Sequence, residues 1–343
     1  MDRQYYLDLA AAGMRMPIGT HLVLHQQADH EAIIHDGERL GEVVARTAER
    51  FNTPLAVPLM DLKLEKEEML TSLGIPAADI DSYHFDEVPA GVPDFRITPR
   101  MQATCDAISH VAKKPGMIPI GMGIGSFSLM TKMLADPITP IYLASTGLTA
   151  AEDPEVDLAE RTIELGTKVI LAYYKAQIDA GAKAIIVCEP AANLVYFSPN
   201  QLENSYEIFD KYVTEPMRRV KSLLDAHGVD LIFHDCGELT TGMVERFATL
   251  DAAMISFGCS RLLWQDAPLI PKSTVLYGNL PTKNFMSAQL TVAEVERLAV
   301  NLVEKMRAAD HPFILGSECD VLSVPGSEQE ILAKVDAFMK IPR

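Results

Sequence analysis

The sequence predicts an α/β fold, a TIM (β/α)8 barrel, on three observations. Eight short apolar runs recur along the chain, most of them separated by stretches long enough for a helix. Strands that alternate with helices pair in parallel, and eight such repeats can close into a barrel. Residues able to do chemistry stand where the runs end, which is where a parallel barrel keeps its active site. The chain has 343 residues, 48 % of them hydrophobic, which suits one domain with a large core.

In chain order, residues 1–50 read as a strand hairpin or arm followed by a helix from Asp36 to Phe51. The predicted strands are Met16 to Leu24, Leu55 to Leu62, Gly116 to Gly123, Ala184 to Glu189, Val229 to His234, Ala252 to Phe257, Thr274 to Gly278 and Phe313 to Gly316. Residues 63–114 contain Pro76, Pro89, Pro93 and Pro99, so they read as a loop-rich insertion covering one end of the barrel. Gly121-Met122-Gly123-Ile124-Gly125-Ser126 makes a tight turn into a helix from Phe127 to Leu134. It lacks the lysine a phosphate loop needs. Asp153-Pro154 opens a long helix, with proline at a first-turn position where its missing N–H costs nothing, and Gly181 closes it. Pro216 interrupts a helical stretch and should kink or split it. Thr291-Val292-Ala293-Glu294 and Ser327-Glu328-Gln329-Glu330 read as capping boxes before the last two helices.

A formal charge of -17 repels phosphates and anionic lipid, which argues against nucleic-acid and membrane-surface partners. No window of 18 apolar residues occurs, and Met1-Asp2-Arg3-Gln4-Tyr5-Tyr6 lacks the features of a signal peptide. Five cysteines, an odd count, argue against a disulfide framework. The expected setting is cytoplasmic and reducing, which keeps Cys236 and Cys319 available as thiolates.

His234 and Cys236 follow the fifth apolar run and Cys319 follows the eighth. Two residues apart in an extended segment, His234 and Cys236 point the same way. One nitrogen and two sulfurs suit zinc, and three protein ligands leave a fourth position for substrate. A buried structural cysteine and a chance His-x-Cys pair are the plainer alternatives. Cys105 and Cys188 read as core residues and Cys259 as a loop residue. Asp61 and Glu189 each close an apolar run. Such a carboxylate either handles substrate and protons or serves as a helix cap or salt-bridge partner. Asp235, Glu238, Glu318 and Asp320 flank the ligands as supporting partners or caps. His21 and His25 lie near the end of the first strand in structural roles.

The run Gly121 to Leu129 resembles the glycine-rich strand-to-helix turn of the uroporphyrinogen decarboxylase superfamily. Ala180-Gly181-Ala182 through Pro190, then Leu194 to Pro199, resembles its next segment, and Tyr277-Gly278-Asn279-Leu280-Pro281 its late Gly-Asn strand end. Asp61 matches the place of the decarboxylase's catalytic aspartate. Two departures point to another branch. The stretch Gly19 to Gln27 has no arginine to hold a tetrapyrrole's carboxylates, and Cys319 stands where the decarboxylase has a histidine.

The resemblance therefore implies the zinc methyltransferases of corrinoid systems, of the methylcobamide:coenzyme M or O-demethylase type. The implied ligands are His234, Cys236 and Cys319 on Zn²⁺. The implied reaction moves a methyl group between a small methyl donor or thiol and the cobalt of a corrinoid carried by a partner protein. Glu189 or Asp61 would orient substrate or manage its proton, and Gly121, Gly123 and Asn279 would let a cofactor approach the backbone. The acidic loops around the ligands would repel a sulfonate, which favours a substrate other than coenzyme M. The alternatives are a metal-free tetrapyrrole decarboxylase relying on Asp61, and a non-enzymatic barrel whose zinc has four protein ligands.

Overall fold

The computed structural model describes residues 2–89, 95–203 and 205–342. Its strands are β1 (Arg15–Ile18), β2 (Leu55–Ala56), β3 (Ile118–Ile124), β4 (Ala184–Cys188), β5 (Asp230–Asp235), β6 (Met254–Phe257), β7 (Val275–Leu280) and β8 (Phe313–Asp320). Each overlaps one of the predicted runs. They form one curled, eight-stranded sheet in the order β1-β8-β7-β6-β5-β4-β3-β2, with every ladder parallel. Helices cover its outside, a TIM-barrel-like α/β fold.

Alternation sorts the strand residues between two layers. In β4, Ile185 and Val187 pack outward under the helices, while Ala184, Ile186 and Cys188 face the interior. In β5, Leu231 and Phe233 go outward and Ile232 inward. Both faces are buried, so the strands read as near-continuous apolar runs. β1 and β2 are the edges of the sheet. Met16, Ile18, Leu55 and Val57 from those edges share the interior cluster, and Thr20 Oγ1 donates to the Val57 carbonyl at 2.6 Å. The interior is filled: the void lined by Met16, Val57, Ile186, Met254 and Tyr277 measures about 10 Å³.

The N-terminal arm is a helix, Gln4–Ala11, rather than a strand hairpin. Its Tyr6 is fully buried in the interior cluster and donates to Asp230 Oδ2 at 3.0 Å, so the helix closes the N-terminal end of the barrel. β1 is shorter than its apolar run because Thr20–Leu24 turns into a helix. The helix Gly37–Arg50 runs between Asp36, which accepts from Arg39 N, and Phe51.

Within 63–114, helices occupy Leu64–Ser72 and Pro99–Val111. The second packs on the helix Gly37–Arg50 and on β3 as part of the barrel wall, so loop-rich applies to the segment between the two helices. Pro93 lies outside the described residues.

The helix Pro154–Asp179 is capped by Asp153, which accepts from Glu155 N and Val156 N, and it gives way at Gly181, whose φ is +109°. Pro216 is the second residue of the helix Glu215–Ala226, behind a π-helical turn, Asp210–Thr214. The missing proline N–H breaks the regular ladder there. Thr291 caps the helix Val292–Ala308 by accepting from Glu294 N at 3.2 Å. Ser327 makes no side-chain cap, in contrast to the sequence reading, because its backbone (φ -118°, ψ 6°) is not extended as a capping residue requires.

Candidate metal centre

His234 continues the inward face of β5 one step beyond Ile232 and sits at the top of the interior. Its register partner on β6 is Ser256, whose Oγ lies 3.1 Å from His234 Nδ1. With Nδ1 donating to that hydroxyl, the lone pair of Nε2 is free to bind a metal. Nε2 is buried and has no hydrogen-bond partner.

Asp235 Oδ1 accepts from Gly237 N at 2.8 Å, a tight turn that carries Cys236 out of the strand. The next loop lies close behind. A side chain at Gly258 would stand 2.7 Å from the Cys236 carbonyl oxygen, so glycine is needed there. Asn279 Nδ2 pins this loop, donating to the Gly258 and Arg261 carbonyls at 2.9 Å each.

Cys319 lies within β8 rather than after it. While β1 advances from Met16 to Ile18, β8 advances from Gly316 to Asp320. Ser317 Oγ fills the gap in the ladder by accepting from Ile18 N at 2.9 Å. Irregularities of this kind re-aim side chains at barrel rims. One ligand atom each from His234, Cys236 and Cys319 lie within 4.8 Å of one another.

The two thiols behave as a pair. The hydrogen bond from Cys319, with His234 and Lys283 nearby, brings the Cys236 thiol down to about 3. Cys319 is pushed up because the sulfur it bonds to is then the thiolate. Burial alone would lower the Lys283 ammonium, but Cys236 and Cys319 raise it. An imidazole with an unpartnered buried nitrogen, facing two sulfurs of which one ionises readily, fits zinc by its donor chemistry.

The family profile described as Uroporphyrinogen decarboxylase (URO-D) matches residues 14–340. The chain belongs to the uroporphyrinogen decarboxylase family. A solved structure described as a methyltransferase from Methanosarcina mazei is similar to this URO-D chain with a TM-score of 0.67 and 15 % identity, over 98 % of each chain. At that identity the likeness shows the fold. A Xaa-Pro dipeptidase with bound methionine in the active site aligns at a TM-score of 0.29 and 15 % identity, over 74 % of this chain and 67 % of that one, and carries no argument. No curated protein matches the sequence. No described helix is long and apolar enough to cross a membrane.

The other predicted site residues of this URO-D chain are engaged in holding the barrel mouth. Glu189 is fully buried, and its two oxygens accept from Phe127 N at 3.1 Å and Ser128 N at 2.9 Å. It thus caps the helix Ser126–Met133, which has no side-chain cap of its own. Burial pushes its carboxyl up to about 7. Asp61 pairs with Arg100 Nη2 at 3.0 Å and is a quarter exposed.

Gly121 and Gly123 lie on the outward face of β3, where added side chains would collide with Gln177 and with Glu65 and Tyr174. Their hydrogens make room for that packing. The amide N–H groups of Asn279 are used by the loop that backs Cys236. Asp235 is fully buried, and Glu318 accepts from Cys259 N at 2.9 Å. Asp320 is buried, which raises it to about 7. Cys188 packs in the interior cluster and Cys105 in a separate one under the helices, while Cys259 is exposed. His21 Nδ1 accepts from Ser323 N at 2.9 Å, a structural link.

Sequence reasoning missed four residues at the centre: Ser256, Lys283, Thr282 and Met60. Met60 Sδ lies 3.9 Å from Cys319 Sγ, and Thr282 Oγ1 donates to the Cys319 carbonyl at 3.4 Å. Serine and threonine in apolar strand ends carry no distinctive spacing. Only the position of Ser256, level with His234 in neighbouring strands, could have singled one out.

Proposed function

We propose that this chain is a zinc-dependent methyltransferase that moves a methyl group between a small substrate and the cobalt of a corrinoid on a partner protein. The observation that carries the reading is His234 Nε2, buried without a partner and converging on two thiols at the mouth of the barrel. His234, Cys236 and Cys319 would hold the ion. Zinc so held supplies Lewis acidity toward a thiol or an ether oxygen at its remaining position.

The residues do the rest. Ser256 keeps His234 in the tautomer with a free Nε2. Cys236 gives up its proton readily, and the Cys319 proton leaves on loading, so metal uptake should release protons. Asp61, part-exposed and oriented by Arg100, is the carboxylate assigned to orient substrate. Glu189 supports the mouth through the helix it caps. The corrinoid protein would dock over the C-terminal ends of the strands, the face that these ligands share.

The rival within the family is a metal-free decarboxylase centred on Asp61. Metal content separates the two. Purified wild type should hold one zinc per chain, and Cys319→Ala should lose it. Methyl transfer with methylated or reduced cobalamin and a panel of thiols and methyl ethers should follow the zinc. Metal-free wild type from zinc-supplemented growth, or decarboxylase activity that survives chelation, would sink the proposal.

A further inference from the structure

We propose that Lys283 selects substrates bearing an anionic group, holding that group while the reacting end of the molecule lies at the His234–Cys236–Cys319 trio. This rests on the metal reading above. Lys283 belongs to the short turn Thr282–Asn284 that follows β7, at the same mouth. Its side chain is exposed, yet Nζ comes 3.4 Å from the Cys236 carbonyl oxygen. That is a long contact, and a second N–H is drawn to the Cys236 sulfur, which leaves one of the three donors. Among the described residues no carboxylate forms an ion pair with it.

Among the described residues Glu318 acts on it only through space, without an ion-pair contact. Asp235 is fully buried, and Glu318 is buried and bonded to Cys259 N. Of the acidic loop residues Asp235, Glu318 and Asp320 are buried and only Glu238 is exposed, so the repulsion of an anion expected from those loops is reduced at this spot. The turn is also held firmly. Thr282 ties it to the Cys319 carbonyl, and the buried Lys334 Nζ donates to the Phe285 carbonyl at 2.6 Å and the Ser287 carbonyl at 2.9 Å.

A protein of formal charge -17 repels anions at a distance, so a bound anion needs a local cation. Lys283 supplies one within reach of both sulfur ligands. A neutral methyl ether would gain nothing from it.

The test uses cobalt(II)-loaded protein and three thiols of similar length: 3-mercaptopropionate, 2-mercaptoethanol and cysteamine. Sulfur-to-cobalt charge-transfer absorption reports binding, corrected for each thiol's own ionisation. Wild type should bind the anion at least about tenfold more tightly than the neutral thiol, the worth of one charged hydrogen bond. Cysteamine should bind most weakly. At saturating cobalt, Lys283→Gln should bring the three within about threefold of one another, and Lys283→Arg should keep the order.

Equal affinities in wild type, or an anion preference that survives in Lys283→Gln, would overturn the assignment. Failure of Lys283→Gln to take up cobalt even at saturation would also overturn it, by showing that the side chain serves Cys236 rather than substrate. Failure of wild type to take up cobalt would bring down the metal reading and this one together.

Discussion

His234 divides its ring between two tasks, one nitrogen to Ser256 and the other toward the thiols. Removing the hydroxyl should leave the ring in place but free to adopt the wrong tautomer. Ser256→Ala is expected to weaken zinc binding about 10- to 100-fold, measured by competition with a chromogenic chelator, with circular dichroism unchanged. Glu65 offers a second test at this scale. It is fully buried, one oxygen accepts from Ile124 N at 3.0 Å and the other has no partner. Burial raises its carboxyl from 4.5 to about 8. The folded state therefore holds this proton more tightly than the unfolded chain. Its contribution to stability is complete below about pH 4.5 and is lost as pH rises through 8. Urea unfolding of metal-free protein between those limits should show stability falling with pH, and Glu65→Gln should flatten the slope. An unchanged slope would mean Glu65 is already ionised in the fold.

At the scale of elements, the glycines of β3 serve close packing. Gly121 and Gly123 let the helix Pro154–Asp179 and Glu65 approach the strand closely. Gly123→Ala would place a methyl group against Glu65 and 2.6 Å from Tyr174 Cε1. It should cost about 1–3 kcal/mol in denaturant unfolding while leaving zinc content intact. A loss of zinc without a loss of stability would restore a role at the site. The caps make the opposite point. Asp153 and Thr291 were legible because capping is local: the side-chain oxygen accepts from an N–H two or three residues on. Glu189 was legible only as one of several alternatives, since the N–H groups it accepts from stand 62 and 61 residues earlier in the chain.

At the scale of the molecule, the ligands come from strands on different parts of the sheet, so a bound ion ties β5 to β8 in the folded state only. Saturating zinc at 100 times its Kd should add about 2.7 kcal/mol and raise Tm by a few degrees, and a chelator should reverse this. Cys319→Ala should show no zinc-dependent rise in scanning calorimetry. If wild type shows none either, the three ligands do not hold an ion.

The eight-strand barrel, its long capped helices and the His-x-Cys and Cys ligand set could be argued from residue order alone. Apolar periodicity, proline and glycine placement and capping are short-range effects, each decided within a few residues. Family likeness extended that reading to the branch the ligands suggest. The shape of the mouth could not be read the same way. The irregular end of β8, the pairing of Ser256 with His234, the burial of Asp235, Glu318 and Asp320 and the approach of Lys283 to Cys236 all join segments far apart in sequence. Such contacts depend on how neighbouring strands are registered and how their loops pack, and no local pattern encodes that.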